Sequence, residues 1–146
     1  MNEKDRILLV DDDESIRETF KAILEENGYI VDTAENGKEA IEKTHKNFYN
    51  AILIDIRLPD MDGTELLGAI KDTTPKMVKI IVTGYPALQN AIAAVNKGAD
   101  AYVIKPPKIK ELLATLKEHL QRQKEEKRVS EEKVAEFIQK RAKELS

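Results

Sequence analysis

Four short apolar runs in this chain each end in a residue able to do chemistry. Residues 6–10 run into Asp11-Asp12-Asp13, residues 51–54 into Asp55, residues 78–83 finish at Thr83, and residues 101–104 meet Lys105. If the run ends converge, several carboxylates share one small volume. They repel, and without compensation at least one is driven towards its protonated form. A divalent cation removes the conflict. Oxygen-only ligands select a hard ion, and a site with few carboxylates suits magnesium, which keeps waters and bridges to phosphate. A carboxylate beside such an ion can attack phosphorus, giving an aspartyl phosphate, and Asp55 is the best-placed nucleophile. Thr83 can donate a neutral hydrogen bond to the phosphoryl group and Lys105 can supply a compact positive charge. Asp13, just before Glu14 and an apolar helical stripe, reads as a helix N-cap.

What could bring these groups together is a sheet. The four runs, nearly continuous in Ile, Leu and Val, read as strands covered on both faces, and residues 29–34 after Gly28 form a weaker fifth. Between them the apolar period becomes helical: Ile16, Phe20, Ile23 and Leu24; Ala40, Ile41 and Thr44; Leu66, Leu67 and Ile70; Leu88, Ala91, Ile92 and Val95; and Ile109, Leu112, Leu113, Leu116 and Leu120. Alternating strands and helices specify an α/β, doubly wound, five-stranded parallel sheet with helices on both faces. Strand order 2-1-3-4-5 seats the first and third strands side by side at the switch point, where ligands collect beyond the carboxyl ends. Beyond residue 120 the chain turns polar, yet Val134, Phe137, Ile138, Arg141 and Leu145 keep helical spacing. Residues 1–120 are therefore expected to form one domain and residues 121–146 a charged helical extension. It either continues the last helix or restarts at Ser130, and serves as a linker or a dimerisation helix.

Composition excludes several alternatives. The 146 residues include no cysteine, so no thiolate site or disulfide exists, and His45 and His119 stand too far apart in sequence to suggest a zinc cluster or a triad. No apolar run approaches the roughly 20 residues needed to cross a bilayer, and the first residues lack a signal-peptide pattern, so a cytoplasmic location is expected. The first 120 residues carry 16 basic and 21 acidic side chains, which argues against direct nucleic-acid binding. The extension carries eight basic and six acidic side chains. Asp60 and Asp62-Gly63 invite a calcium-loop reading, but counting them as positions three, five and six puts Ala69 where a bidentate Glu is required. They read instead as turn or cap residues before a helix at Thr64.

The motifs Ile7-Leu8-Leu9-Val10-Asp11-Asp12-Asp13, Ile52-Leu53-Ile54-Asp55, Leu58-Pro59-Asp60-Met61-Asp62-Gly63, Val82-Thr83-Gly84 and residues 98–106 stand in order. Over roughly residues 4–120 the chain resembles the receiver domain of two-component response regulators. The resemblance implies that Asp11 and Asp12 are magnesium-site acids, that Asp55 accepts the phosphoryl group and also faces the metal, and that the Arg57 backbone carbonyl is a further ligand. It further implies that Thr83 is the switch hydroxyl, Lys105 the phosphate-binding lysine, Tyr102 the switch aromatic, and Lys105–Pro106 a cis bond. The implied partner is a histidine kinase, with an effector domain or downstream protein receiving the signal through the fourth helix, fifth strand and fifth helix, and with a homodimer possible. The implied chemistry is phosphoacceptance, autophosphorylation from small donors and self-dephosphorylation, not turnover of a metabolite.

Two departures matter. Pro107 replaces the aromatic residue common after the Lys-Pro pair, which alters packing beside the fifth helix. Arg57 and Tyr85 occupy the variable positions beside the path of the hydrolytic water, where their bulk is expected to slow self-dephosphorylation. Two rival readings remain at this stage. An aspartyl-nucleophile phosphatase of the haloacid dehalogenase type would need an Asp at position 57, where Arg57 stands. A receiver-fold interaction module that never takes phosphate would have no need of all five site residues.

Overall fold

The computed structural model describes residues 4–84, 88–105 and 109–145, with the backbone alone for 88–90. The order is β1 (Arg6–Val10), α1 (Glu14–Glu26), β2 (Ile30–Ala34), α2 (Gly37–Lys46), β3 (Ala51–Ile54), α3 (Gly63–Ala69), β4 (Val78–Thr83), α4 (Leu88–Asn96), β5 (Ala101–Ile104) and α5 (Ile109–Leu145). The strands form one parallel sheet in the order β2-β1-β3-β4-β5. That is the sheet expected from the alternation of periods.

Side chains alternate across a strand, so each strand feeds two cores. Leu8, Val10, Ile52, Ile54 and Ile81 pack with Ala40 of α2, Leu66 and Leu67 of α3 and Ala94 of α4. Ile7, Leu9, Leu53, Ile80 and Val82 pack on the other face with Leu24 of α1 and Leu112, Leu116 and Leu120 of α5. Most of these residues are fully buried, and each Val, Leu or Ile among them contributes about 1.5–3 kcal/mol relative to exposure.

α4 corrects one expectation. Ile92 and Val95 are 52% and 65% exposed, whereas Ala94 is fully buried. The helix is turned so that its core face centres on Ala94 instead of Val95, one residue or about 100° away. Small alanines allow close approach to the sheet, and the larger residues are left outside. Leu88 lies where only backbone is described.

α5 runs through Ser130 without a break and crosses residue 120. Gln123 is still buried: its Nε2 donates to the Asn50 and Lys76 carbonyls at 2.9 and 2.8 Å, and its Oε1 accepts from Asn50 Nδ2 at 3.3 Å. Beyond it only Val129 is partly covered among the described residues, and Val134, Phe137, Ile138 and Leu145 face solvent.

Candidate functional site

The site lies at the carboxyl ends of β1, β3, β4 and β5. Backbone bonds continue the sheet just past the strand ends: Asp11 N–H donates to Ala34 O at 3.1 Å, Asp55 N–H to Val10 O at 3.0 Å, and Lys105 N–H to Thr83 O at 2.7 Å. The first acidic residue, Asp55 and the lysine are thus held in register by the ladder. One carboxylate oxygen from each of Asp11, Asp12 and Asp55 lies within 4.8 Å of the others. Asp11 is buried, Asp55 half-buried and Asp12 exposed, so the cluster is closed below and open above.

Lys105 Nζ sits 2.5 Å from Asp11 Oδ2 and 3.2 Å from Asp55 Oδ2. Among the described residues Lys105 is paired with two of the three carboxylates, which leaves the cluster with net negative charge. Burial pushes the Asp55 carboxyl above the usual carboxylate range; Lys105 and the Arg57 N–H, which donates to Oδ1 at 3.2 Å, pull it down, and Asp11 adds a further upward push. The net displacement is upward. Burial works against the Lys105 charge too, but Asp11 and Asp55 outweigh it and hold its ammonium above the ordinary lysine value. An unbalanced anionic cluster of hard oxygen donors, one of them exposed, is the donor set that fits a magnesium ion. Asp11, Asp12 and Asp55 would hold it.

Thr83 is fully buried at the end of β4, and Tyr102 on β5 is half-buried against the α2–α4 core, with its hydroxyl pushed up by burial. The local turns also follow expectation. Asp13 Oδ1 accepts from Ile16 N at 3.2 Å as the N-cap of α1, and Asp62 Oδ1 accepts from Thr64 N at 2.8 Å as the N-cap of α3. Arg57 is exposed and its backbone bridges to Asp62. Gly63 N donates to Ile56 O at 2.7 Å, and a Cβ on Gly63 would lie 2.7 Å from the Asp55 carbonyl oxygen, so only glycine lets α3 start this close to Asp55. Tyr85, Pro107 and the Lys105–Pro106 bond lie outside the described residues.

Two contacts were not read from sequence. Arg17 Nη1 donates to the Asp11 carbonyl at 2.7 Å, bracing the acidic turn from α1. Its position one turn past Asp13 was the available signal. Asp60 reaches across to α2, which no local pattern announces.

The chain matches the family model described as "Response regulator receiver domain" over residues 7–117. It belongs to the response regulator receiver domain family. A solved structure of a CheY-like receiver domain protein from Methanospirillum hungatei JF-1 is 46% identical, covers 85% of this chain and 99% of that one, and superimposes with TM-score 0.81. Chemotaxis protein CheY4 of Vibrio cholerae is 29% identical, with TM-score 0.74 over 80% of this chain and 98% of that one. Among curated relatives, response regulator MprA of Mycobacterium leprae is 34% identical over 119 residues, 82% of this chain and 52% of the relative. The chain spans about half the length of the curated relatives it matches. As a receiver domain it is a phosphoacceptor and not a turnover enzyme, which sets aside the phosphatase reading. No helix among the described residues is long and apolar enough to cross a membrane.

Proposed function

We propose that this receiver domain is a phosphorylation switch in which a histidine kinase donates a phosphoryl group to Asp55. The observation that carries the reading is the convergence of Asp11, Asp12, Asp55 and Lys105. An Asp55 oxygen attacks phosphorus, the donor's phosphoramidate or acyl-phosphate bond breaks, and the leaving group departs with its electron pair. A magnesium ion, when bound, neutralises the carboxylates and attracts phosphoryl oxygens. The Arg57 carbonyl is assigned as its backbone ligand. Lys105, already between the acids, takes up the new negative charge, and Thr83 donates its hydroxyl as Tyr102 turns inward.

Exposed Ile92, Val95 and Ile104 support the face of α4, β5 and α5 as the read-out surface, towards an effector domain or a downstream protein. The extension beyond residue 120 acts as the connecting helix or as a dimer contact, and the domain works in the cytoplasm. The exposed Arg57 side chain, with Tyr85, shields the phosphoryl group from water.

The test is intact mass after incubation with acetyl phosphate and magnesium. The wild type gains one phosphoryl group and Asp55→Asn gains none; equal labelling of both refutes the assignment. In the same assay Arg57→Ala loses the group faster than the wild type, and an unchanged half-life removes the shielding role.

A further inference from the structure

The first four N–H groups of a helix, counting that of the N-cap, have no partner within it, and in α2 the last three of these belong to Gly37, Lys38 and Glu39. In α2 the Asn36 side chain takes one, accepting from Glu39 N at 2.8 Å. The other two, Gly37 N and Lys38 N, both donate at 2.9 Å to the carboxylate of Asp60, one to each oxygen. Asp60 is 23 residues further along the chain, in the loop between β3 and α3 that begins at Asp55 and carries Arg57. A carboxylate facing two helix-terminal N–H groups also meets the positive end of the helix dipole. Beside it Met61 packs so closely on Gly37 that its sulfur would overlap any Cβ at that position. The loop is therefore seated on α2 by a charged clamp and a close contact. Among the contacts of the described residues, its base is held by Asp55 N–H to Val10 O, by Lys105 on Asp55 and by buried Ile56, and its shape by Arg57 N to Asp55 Oδ1, the Arg57–Asp62 bridge and Gly63 N to Ile56 O. These ties set the base and shape of the loop, while Asp60 joins its far side to the start of α2.

We infer that Asp60 is a positioning residue for the cation pocket, clamping the β3–α3 loop to the start of α2 so that the Arg57 backbone, whose N–H donates to Asp55 Oδ1, keeps its place beside the acids. The inference rests on the cation reading proposed above. Asp60 touches neither the cation nor the phosphoryl group; it acts through the loop. Supporting contacts behind a metal's ligands typically change affinity about 10–100-fold when lost, and the exposed setting of Asp60 places it at the low end.

The decisive comparison is Asp60→Ala against Asn36→Ala, since both remove a cap from the same helix and only the first frees the loop. Magnesium affinity is read by titration calorimetry, and protection of the Gly63 amide by hydrogen exchange. Asp60→Ala is expected to weaken magnesium binding about tenfold and to speed Gly63 exchange, with phosphorylation by acetyl phosphate restored at saturating magnesium. Asn36→Ala lowers thermal stability but leaves both readings unchanged. Asp60→Asn, which keeps one acceptor, falls between and covers the case where Asp60→Ala folds poorly. If Asp60→Ala and Asn36→Ala lose stability alike and bind magnesium as the wild type does, Asp60 is a helix cap only and the inference is overturned. A wild type that binds no magnesium overturns the cation reading and this inference together, an outcome distinct from the first.

Discussion

At the residue scale the account turns on charge balance around Asp55. Its carboxyl is held above the usual range chiefly by burial, so the folded state prefers it protonated. A raised folded-state pKa gives stability that is fully present below the ordinary carboxylate pKa and is lost as pH rises through the raised value. At neutral pH and without magnesium the wild type has lost that contribution. Asp55→Asn, which carries no charge, should therefore melt roughly 2 to 4 °C higher than the wild type in chelator at pH 7, with the gap closing as pH falls towards the carboxylate range. Scanning calorimetry at several pH values checks this, and a lower melting temperature for Asp55→Asn at pH 7 would show that the Lys105 pairing outweighs the burial cost. The convergence of Asp11, Asp12, Asp55 and Lys105 was legible because they stand at or just past the ends of apolar runs. Arg17 and Asp60 were not, because their partners are backbone groups that only the folded chain brings near.

At the scale of elements, β1, β3, β4 and β5 appear at the bounds read from the sequence, since a doubly covered strand leaves an uninterrupted apolar run. α4 was misoriented because volume was weighed and surroundings were not: Ala94 fits into the core while the valine beside it stays outside. α5 shows the converse. Its apolar stripe continues in phase past the sheet, yet burial stops at Gln123, a polar residue that ties the helix to the loops below β3 and β4. Gln123→Ala takes a donor from the Asn50 and Lys76 carbonyls, the first of which keeps Val78 N–H, and is expected to cost about 0.5–1.5 kcal/mol in urea unfolding. A change below a few tenths of a kcal/mol would mean that water replaces the amide. Ending the chain after residue 129 removes only exposed side chains, apart from a short stretch of helix, so the urea midpoint should hold. A clear, concentration-dependent drop would instead reveal that the extension pairs with a second copy.

At the scale of the whole molecule, a switch needs enough differential binding to move its population. Shifting from 1:99 to 99:1 takes about 5.5 kcal/mol. Two or three charge-assisted contacts to a phosphoryl group, each on the order of 1.5–3 kcal/mol before costs, together supply about 3–9 kcal/mol, a range that brackets that requirement. Small changes at Lys105 or Thr83 should therefore tilt the equilibrium without unfolding the domain. The fold places Asp55 at one rim of the sheet and leaves apolar residues of α4 and β5 exposed, with Tyr102 packed against the α2–α4 core. The central claim remains chemical: one particular carboxylate becomes an acyl phosphate. Treating the acetyl phosphate-loaded protein with borohydride reduces such a group to an alcohol, and peptide mapping locates it. The account predicts homoserine at position 55, dependent on magnesium and abolished by Asp12→Ala; homoserine at another aspartate, or at none, would contradict it.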